Sequence, residues 1–370
     1  MTREPAPCTH GWEALRGDSL GWLLDQSRPN LHWRVLVELV GRPADSPAVR
    51  RARGGASAAE PVAGLLADLQ PDGRWATSIP RWNRYAGPGW RLFAAVQLGA
   101  DPEDPRLHAA SERLLESAPG EGGLSRSSDA GSDPQLTARA LEAMAALGWG
   151  RHPRVQEWLA WFDATGGWED DPTSAVAVLG GCRGGLRPGL CERAAGGLGR
   201  SLAASGGRGL TTLGHPNLLR TDLAEVFAGL AGAKTVWRPG WRPALERLQR
   251  LQGEKGRWAR RSPVPPSLGV DAPGRPSGWI TLAATRALLT YAIDAGLPRR
   301  FPYPPAPPRE RPEPATPSVR GAVWGLRSLS FSLAMAVTGA PSTRSPSQPT
   351  RAGRLRSELR PAKDARATLA

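Results

Sequence analysis

Cysteine, lysine and long apolar runs are all scarce in this chain of 370 residues. The three cysteines, Cys8, Cys182 and Cys191, are too few for a disulfide framework, and no two have CxxC spacing. No apolar run reaches the roughly 20 residues that a membrane-spanning helix needs. The first residues, MTREPAPCTHGW, lack the apolar core of a signal peptide. We therefore expect a cytoplasmic protein with reduced thiols and no transmembrane segment.

Basic residues are abundant but unevenly placed. The formal net charge is +14, and only three of the 48 basic residues are lysine. The segment from Arg299 to Ala370 holds 13 basic and 4 acidic residues, so it carries most of the excess charge. A folded nucleic-acid-binding face would place this charge within an ordered domain. The distribution therefore predicts no specific nucleic-acid partner.

The chain also lacks the alternating apolar and β-branched pattern of a strand. Apolar residues recur instead at three- and four-residue steps over 136–147 and over 154–162, as one face of a helix requires. The 44 glycines and 37 prolines predict frequent turns between short helices. The predicted fold class is all-α.

A unit of two helices and a glycine turn recurs along the chain, and repeats of this kind indicate a stacked architecture. The turns end at Trp75, Leu124, Trp168, Leu210 and Trp258, a period of roughly 46 residues. A single helical hairpin cannot bury both of its apolar faces, so hairpins of this kind stack on one another.

The composition then divides the chain into three parts. We predict an N-terminal extension (1–29), a repeat domain of five to six hairpins (30–298), and a Pro/Arg/Ser-rich disordered tail (299–370). A further short helix is expected around 321–337, within the tail.

Some of the turns carry more than glycine and a large apolar residue. Their residues are Gln70, Gly73 and Trp75; Gln252, Gly256 and Trp258; and, without glutamine, Gly166 and Trp168. A glutamine amide can satisfy backbone groups at a helix end, and glycine accepts the positive φ of a C-terminal turn. Tryptophan covers the junction and needs a partner for its N–H.

This pattern resembles the QW repeat of squalene and oxidosqualene cyclases and the glycine-turn repeat of protein prenyltransferase β-subunits. The resemblance covers most of residues 30–300. It implies an α/α-toroid whose central cavity binds or transforms an isoprenoid or another apolar ligand. An open helical-hairpin solenoid is the alternative architecture.

The motifs that carry activity in those families are missing. Neither DxDD nor DDxxD occurs, and Asp170 and Asp171 are the nearest acidic candidates for catalysis. Clustered carboxylates can raise one another's pKa and act as a general acid, but acidic residues before Pro172 are also ordinary helix caps. Cys182 and His215 are too far apart in sequence to suggest a zinc site. We predict no metal and no cofactor.

An aromatic cluster precedes one predicted helix. Trp82, Tyr85 and Trp90 could line a cavity and stabilise a carbocation, or could simply pack between repeats. The interleaved arginines could grip a diphosphate or another acidic ligand; they are Arg81, Arg84 and Arg91.

Two functional hypotheses follow, and whether the protein is an enzyme stays open between them. The first is a cyclase or prenyltransferase relative with an isoprenoid ligand. The second is a catalytically inactive helical scaffold that binds a protein partner or an apolar molecule. A central apolar pocket of several hundred Å³, faced by the candidate aromatics and acids, would favour the first hypothesis. A filled centre, or a face lined by arginines, would favour the second.

Overall fold

The all-α prediction is confirmed. A computed structural model describes residues 11–76, 79–83, 85–117, 122–127, 130–182, 185–263, 268 and 270–298. These ranges contain thirteen α-helices and no β-strand. The helices are α1 (Ser19–Leu24), α2 (Pro29–Glu38), α3 (Pro47–Gly54), α4 (Val62–Leu66), α5 (Pro88–Gln97), α6 (Pro105–Glu116), α7 (Pro134–Ala146), α8 (Pro153–Ala164), α9 (Pro172–Cys182), α10 (Pro188–Ser205), α11 (Leu223–Gly232), α12 (Arg242–Arg250) and α13 (Gly278–Tyr291). The predicted tail and its short helix lie outside the described residues.

Proline begins eight of these helices. Its fixed φ suits the first helical position. A backbone N–H there would have no partner within the helix, so its absence costs little. Aspartate precedes proline at α6 and α7, where Asp104 and Asp133 accept backbone N–H groups of the first turn. Many of the prolines therefore mark the first residue of a helix. The helices predicted over 136–147 and 154–162 correspond to α7 and α8.

Successive helices pack in pairs around one apolar core. The contacting pairs are α2 with α3, α5 with α6, α7 with α8, α9 with α10, and α11 with α12. The first helices of these pairs also contact one another in the order α5, α7, α9, α11 and finally α13. Stacking of the hairpins therefore buries their apolar faces, as the repeat pattern requires.

The last described helix, α13, packs against the first two described helices. Helix α13 contacts both α1 and α2. Arg286 on α13 forms an ion pair with Glu38 on α2, with Nη1 and Oε2 2.7 Å apart. The Ser19 hydroxyl of α1 donates to the Gly256 carbonyl, which lies in the turn before α13. The segment predicted as an N-terminal extension thus supplies a helix, α1, that packs on α13.

Glycines in the least regular repeat serve helix packing. The GGLGR sequence of residues 196–200 lies inside α10. A Cβ added at Gly197 would stand 1.9 Å from the Glu169 carbonyl oxygen, and one at Gly199 would stand 3.1 Å from the Trp241 ring. These glycines let α10 approach its neighbours closely.

The prediction of reduced thiols is wrong for two of the three cysteines. Cys182 and Cys191 form a disulfide with an S–S distance of 1.96 Å and a Cα–Cα distance of 6.1 Å. The pair joins the last residue of α9 to the first turn of α10, because the turn between these helices brings the two residues back together. Cys8 lies outside the described residues.

Candidate functional site

The three tryptophans of the repeat turns make equivalent contacts. Each is buried and donates its indole N–H to a carbonyl oxygen of the preceding helix segment. Trp75 bonds to Leu65 at 3.0 Å, Trp168 to Phe162 at 3.0 Å and Trp258 to Leu248 at 2.9 Å. The N–H partner expected for each ring is therefore present, and the ring seals the end of a hairpin.

The glycines of these turns hold positions that no other residue fits easily. Gly73 and Gly256 have φ values of 79° and 78°. A Cβ at Gly73 would lie 2.3 Å from the backbone of Ala109 on α6. In the third turn the left-handed residue is Gly167, with φ 87°, whereas an added Cβ at Gly166 would meet nothing within 4 Å.

The two glutamines of the motif differ in their hydrogen-bond partners. Gln252 is buried; its amide nitrogen donates to the Gly256 carbonyl and its Oε1 accepts the Arg16 N–H at 2.9 Å. Gln70 is exposed and donates to the Asp68 carbonyl at 3.3 Å. Only Gln252 therefore links its turn to a distant part of the chain.

The candidate acids are engaged at the surface and at a helix end. Asp170 is exposed and forms an ion pair with Arg200, with Oδ1 and Nη2 2.6 Å apart. Asp171 caps α9, since its Oδ2 accepts the Ser174 backbone N–H at 2.9 Å and the Ser174 hydroxyl at 2.7 Å. This is the capping arrangement weighed as the alternative to catalysis.

The candidate aromatics pack mainly against one another. Trp82 and Trp90 meet edge to face with ring centroids 5.7 Å apart, and both contact Phe93 at about 6 Å. The Trp90 indole donates to the Trp82 carbonyl at 3.2 Å. Tyr85 is partly buried and has a φ of 63°, which is uncommon for a bulky residue.

The three arginines of that segment have separate positions. Arg91 donates two hydrogen bonds to the Leu65 carbonyl and pairs with Asp68, so its charge is compensated. Arg84 lies outside the described residues. Arg81 instead lines a cavity at the N-terminal end of α5.

This cavity has a volume of about 310 Å³ and lies between α5, α6 and the first repeat turn; we call it the arginine pocket. Its charged side chains are Arg74, Arg81 and Arg113. Its apolar side chains are Trp75, Ile79, Leu92, Ala110 and Leu114. Gly73 and the first two residues of α5, Pro88 and Gly89, complete the lining.

Helical spacing explains how α6 lines the pocket. Ala110, Arg113 and Leu114 stand three and four residues apart, so they share one face of the helix. That face presents two apolar side chains and one guanidinium to the cavity. The pocket is therefore an apolar recess with positive charge at its boundary.

The charges of the arginine pocket are only partly compensated. Arg74 pairs with Asp72 at 2.7 Å, and both side chains are largely exposed. In the described part of the chain, Arg81 and Arg113 form no ion pair, and Arg81 makes only a 3.5 Å hydrogen bond to the Ser117 carbonyl. Burial, with the nearby positive charge of Arg113, lowers the pKa of Arg81. Two like charges therefore lie close together beside the positive end of the α5 dipole.

A second charged group, the polar cluster, joins α5, α7, α11 and the segment before α11. Its members are Gln97, Arg139, Glu142, His215, Asn217, Asp222 and Glu225. Arg139 has a side chain that is 0% exposed and lies 2.7 Å from Glu225 and 2.9 Å from Glu142. The polar cluster therefore holds its arginine between two carboxylates.

Hydrogen bonds tie the segment before α11 into this cluster. The Gln97 amide accepts the Asn217 backbone N–H at 2.8 Å and donates to the Asn217 carbonyl at 3.2 Å. Asp222 is buried and accepts the Gly214 backbone N–H at 2.7 Å. The His215 ring stacks on Trp279 at 5.1 Å and contacts the Gln97 carbonyl. This contact region between helices is filled by polar side chains and backbone.

Burial dominates the electrostatics of the polar cluster. It lowers the pKa of His215 to about 4, and the charge of Arg34 acts in the same direction. It raises the pKa of Glu225 to about 7 against the opposing effect of Arg139. Burial alone would lower the pKa of Arg139, but Glu225 and Glu142 outweigh it, so the net shift is upward.

Comparison with known proteins adds no family assignment. No family model matches the chain, and no curated protein matches it significantly. The described residues also contain no group of three or more His, Cys, Asp or Glu side chains that could hold a metal ion. Across the same residues, every helix is too short or too polar to cross a bilayer.

Proposed function

We propose that this protein is a helical-repeat binding protein that takes a small anionic ligand with an apolar part into the arginine pocket. The observation that carries the proposal is that two guanidinium groups, Arg81 and Arg113, form no ion pair within the described residues and lie beside an apolar wall. A cavity of about 310 Å³ is at the lower end of the size range of small-molecule sites. Apolar walls supply affinity there, and a few charged groups orient the ligand.

The proposal retains the repeat architecture predicted from the Gly-x-Trp turns. We propose that the hairpins close into an α/α ring of the type found in the cyclases and prenyltransferase β-subunits, supported by the contacts of α13 with α1 and α2. The proposed activity is binding rather than cyclisation. The engagement of Asp170 with Arg200 and of Asp171 with α9 supports that choice.

A protein partner is the weaker alternative. Val236 and Ile293 are the exposed large apolar side chains in the described ranges, at 81% and 59% exposure. Two side chains offer far less than the roughly 800 Å² that each partner buries in a standard interface. We therefore favour the small-molecule ligand.

Calorimetric titration with hexyl phosphate and hexanoate tests the proposal. We expect binding of at least one probe, weakened roughly tenfold or more by Arg81→Gln and by Arg113→Gln, since each removes a charge-assisted hydrogen bond. Arg51→Gln is the matched control, because Arg51 is exposed on α3 and does not line the pocket. Absence of binding by both probes, or equal binding by all three variants and the wild type, would refute the proposal.

A further inference from the structure

We infer that the ligand of the arginine pocket carries a dianionic phosphate-ester head on a short apolar chain. The inference rests on the proposed function and specifies its ligand class. It draws on the charge of the pocket, its volume and the position of its apolar wall.

The ligand must bring negative charge into the arginine pocket, because the charged residues that line it are all arginines. Arg81 and Arg113 are close enough to repel each other, and neither forms an ion pair within the described residues, although the charge of Asp72 also acts on Arg113. Arg74 is partly neutralised by Asp72, 2.7 Å away. A monoanion would leave one guanidinium charge unbalanced, whereas a phosphate monoester carries about −1.5 to −2 at pH 7.

The second step is the geometry of the donors. Each guanidinium presents several N–H groups in a rigid planar fork, which suits the oxygens of a phosphate. Pro88 and Gly89 place the first turn of α5 on the same cavity, so the helix dipole adds positive potential. Three terminal oxygens can then be shared between Arg81 and Arg113, while the helix end contributes potential and no hydrogen bond, because Pro88 has no N–H and the Gly89 N–H is donated to the Arg81 carbonyl.

The third step is size. A cavity of about 310 Å³ has room for about ten groups of the volume of a water molecule. A phosphate head occupies about three of these, which leaves room for a chain of about six carbons. Trp75, Leu92 and Leu114 provide the apolar surface for that chain. A chain much longer than this would extend past the side chains that line the pocket.

Titration with a homologous series of alkyl phosphates tests the chain length. The probes are inorganic phosphate and the ethyl, butyl, hexyl and octyl monophosphates, at constant ionic strength and pH 7.5. We expect affinity to rise by up to fourfold per methylene group as each is buried, and to level off near five or six carbons. A rise that continues unchanged to octyl phosphate would overturn the short-chain inference.

Hexyl sulfate tests the head group, because it has the same tetrahedral shape but only one negative charge. We expect hexyl phosphate to bind roughly tenfold more tightly than hexyl sulfate or hexanoate. The preference should disappear in Arg81→Gln and Arg113→Gln and persist in Arg51→Gln.

The outcomes distinguish failure of the proposed ligand class from failure of the proposed binding function. Equal affinity for all three hexyl probes, lost in the Arg81→Gln variant, would overturn the phosphate inference and leave the binding function standing. No binding by any probe, or binding unaffected by both pocket variants, would overturn both. Near-ultraviolet circular dichroism of each variant checks that the packing of the aromatic side chains is preserved.

Discussion

The arginine pocket and the polar cluster both contain arginines, yet they differ in how the charge of those arginines is compensated. Arg139 in the polar cluster lies between Glu142 and Glu225 and has no exposed side-chain surface. In the arginine pocket, Arg81 and Arg113 have no carboxylate partner among the described residues and face a cavity. A fully paired buried charge specifies packing, whereas an uncompensated charge beside a cavity leaves its partner to a ligand.

The largest effect should come from removing the paired arginine. Arg139→Met leaves Glu142 and Glu225 partly buried without their cation, so we expect a loss of about 3–5 kcal/mol in the free energy of unfolding. Arg113→Gln, by contrast, should change it by no more than about 0.5 kcal/mol, because the side chain is exposed and unpaired. Urea denaturation measures both. Similar losses for the two variants would remove the distinction between the regions.

The pH dependence of the free energy of unfolding should come from the polar cluster, which contains His215 and Glu225. Because the pKa of His215 falls from 6.5 to about 4 on folding, the unfolded state binds more protons between these values. The stabilising effect of neutral His215 is therefore present above pH 6.5 and is lost as the pH falls towards 4.

Glu225 acts in the opposite direction. Its pKa rises from 4.5 to about 7 on folding, so its contribution is present below pH 4.5 and is lost as the pH rises through 7. The two contributions offset each other between pH 4.5 and 6.5.

The variant His215→Gln exposes this balance. As the pH falls from 6.5 to 4, the wild type loses the contribution of neutral His215 and the variant does not. The free energy of unfolding of the variant should therefore rise relative to that of the wild type by about 3 kcal/mol. Urea denaturation at several pH values gives the measurement, and Arg113→Gln serves as a control whose pH profile should match wild type. A constant difference between His215→Gln and wild type would show that His215 does not titrate as proposed.

A smaller effect is expected from the turn beneath the arginine pocket. Gly73→Ala places a Cβ at positive φ and against the Ala109 backbone, so we expect a loss of about 2–3 kcal/mol in unfolding free energy. Gly166→Ala is the matched change in another turn, where nothing lies within 4 Å, and it should be nearly neutral. Thermal unfolding compares the two. A neutral Gly73→Ala would mean that the turn can shift away from α6.

Local patterns in the sequence predicted the helices well. The apolar spacing over 136–147 and 154–162 located α7 and α8, because a helix contacts its neighbours through residues three and four apart. The Gly-x-Trp turns were located for a similar reason, since Gly73 and Gly256 need positive φ and Trp75 and Trp258 must cover a helix end.

The candidate site was only partly predictable. Arg81 stood out because it lies among aromatic residues, whereas Arg74 and Arg113 carried no signal of their own. The resemblance to cyclases directed attention to Asp170 and Asp171, whose observed contacts are an ion pair and a helix cap. The polar cluster was missed, because Gln97, Arg139 and Glu225 lie on three different helices and share no motif.

The sequence by itself determined the helical class, the repeat period and the joints between hairpins, because these depend on residues within one or two turns of each other. Only the tertiary structure decided that α1 covers α13, that Cys182 bonds to Cys191, and that Arg81 and Arg113 face one cavity. These contacts depend on how hairpins stack and turn back on one another. Apolar spacing specifies that a helical face must be buried, but leaves open which distant segment buries it.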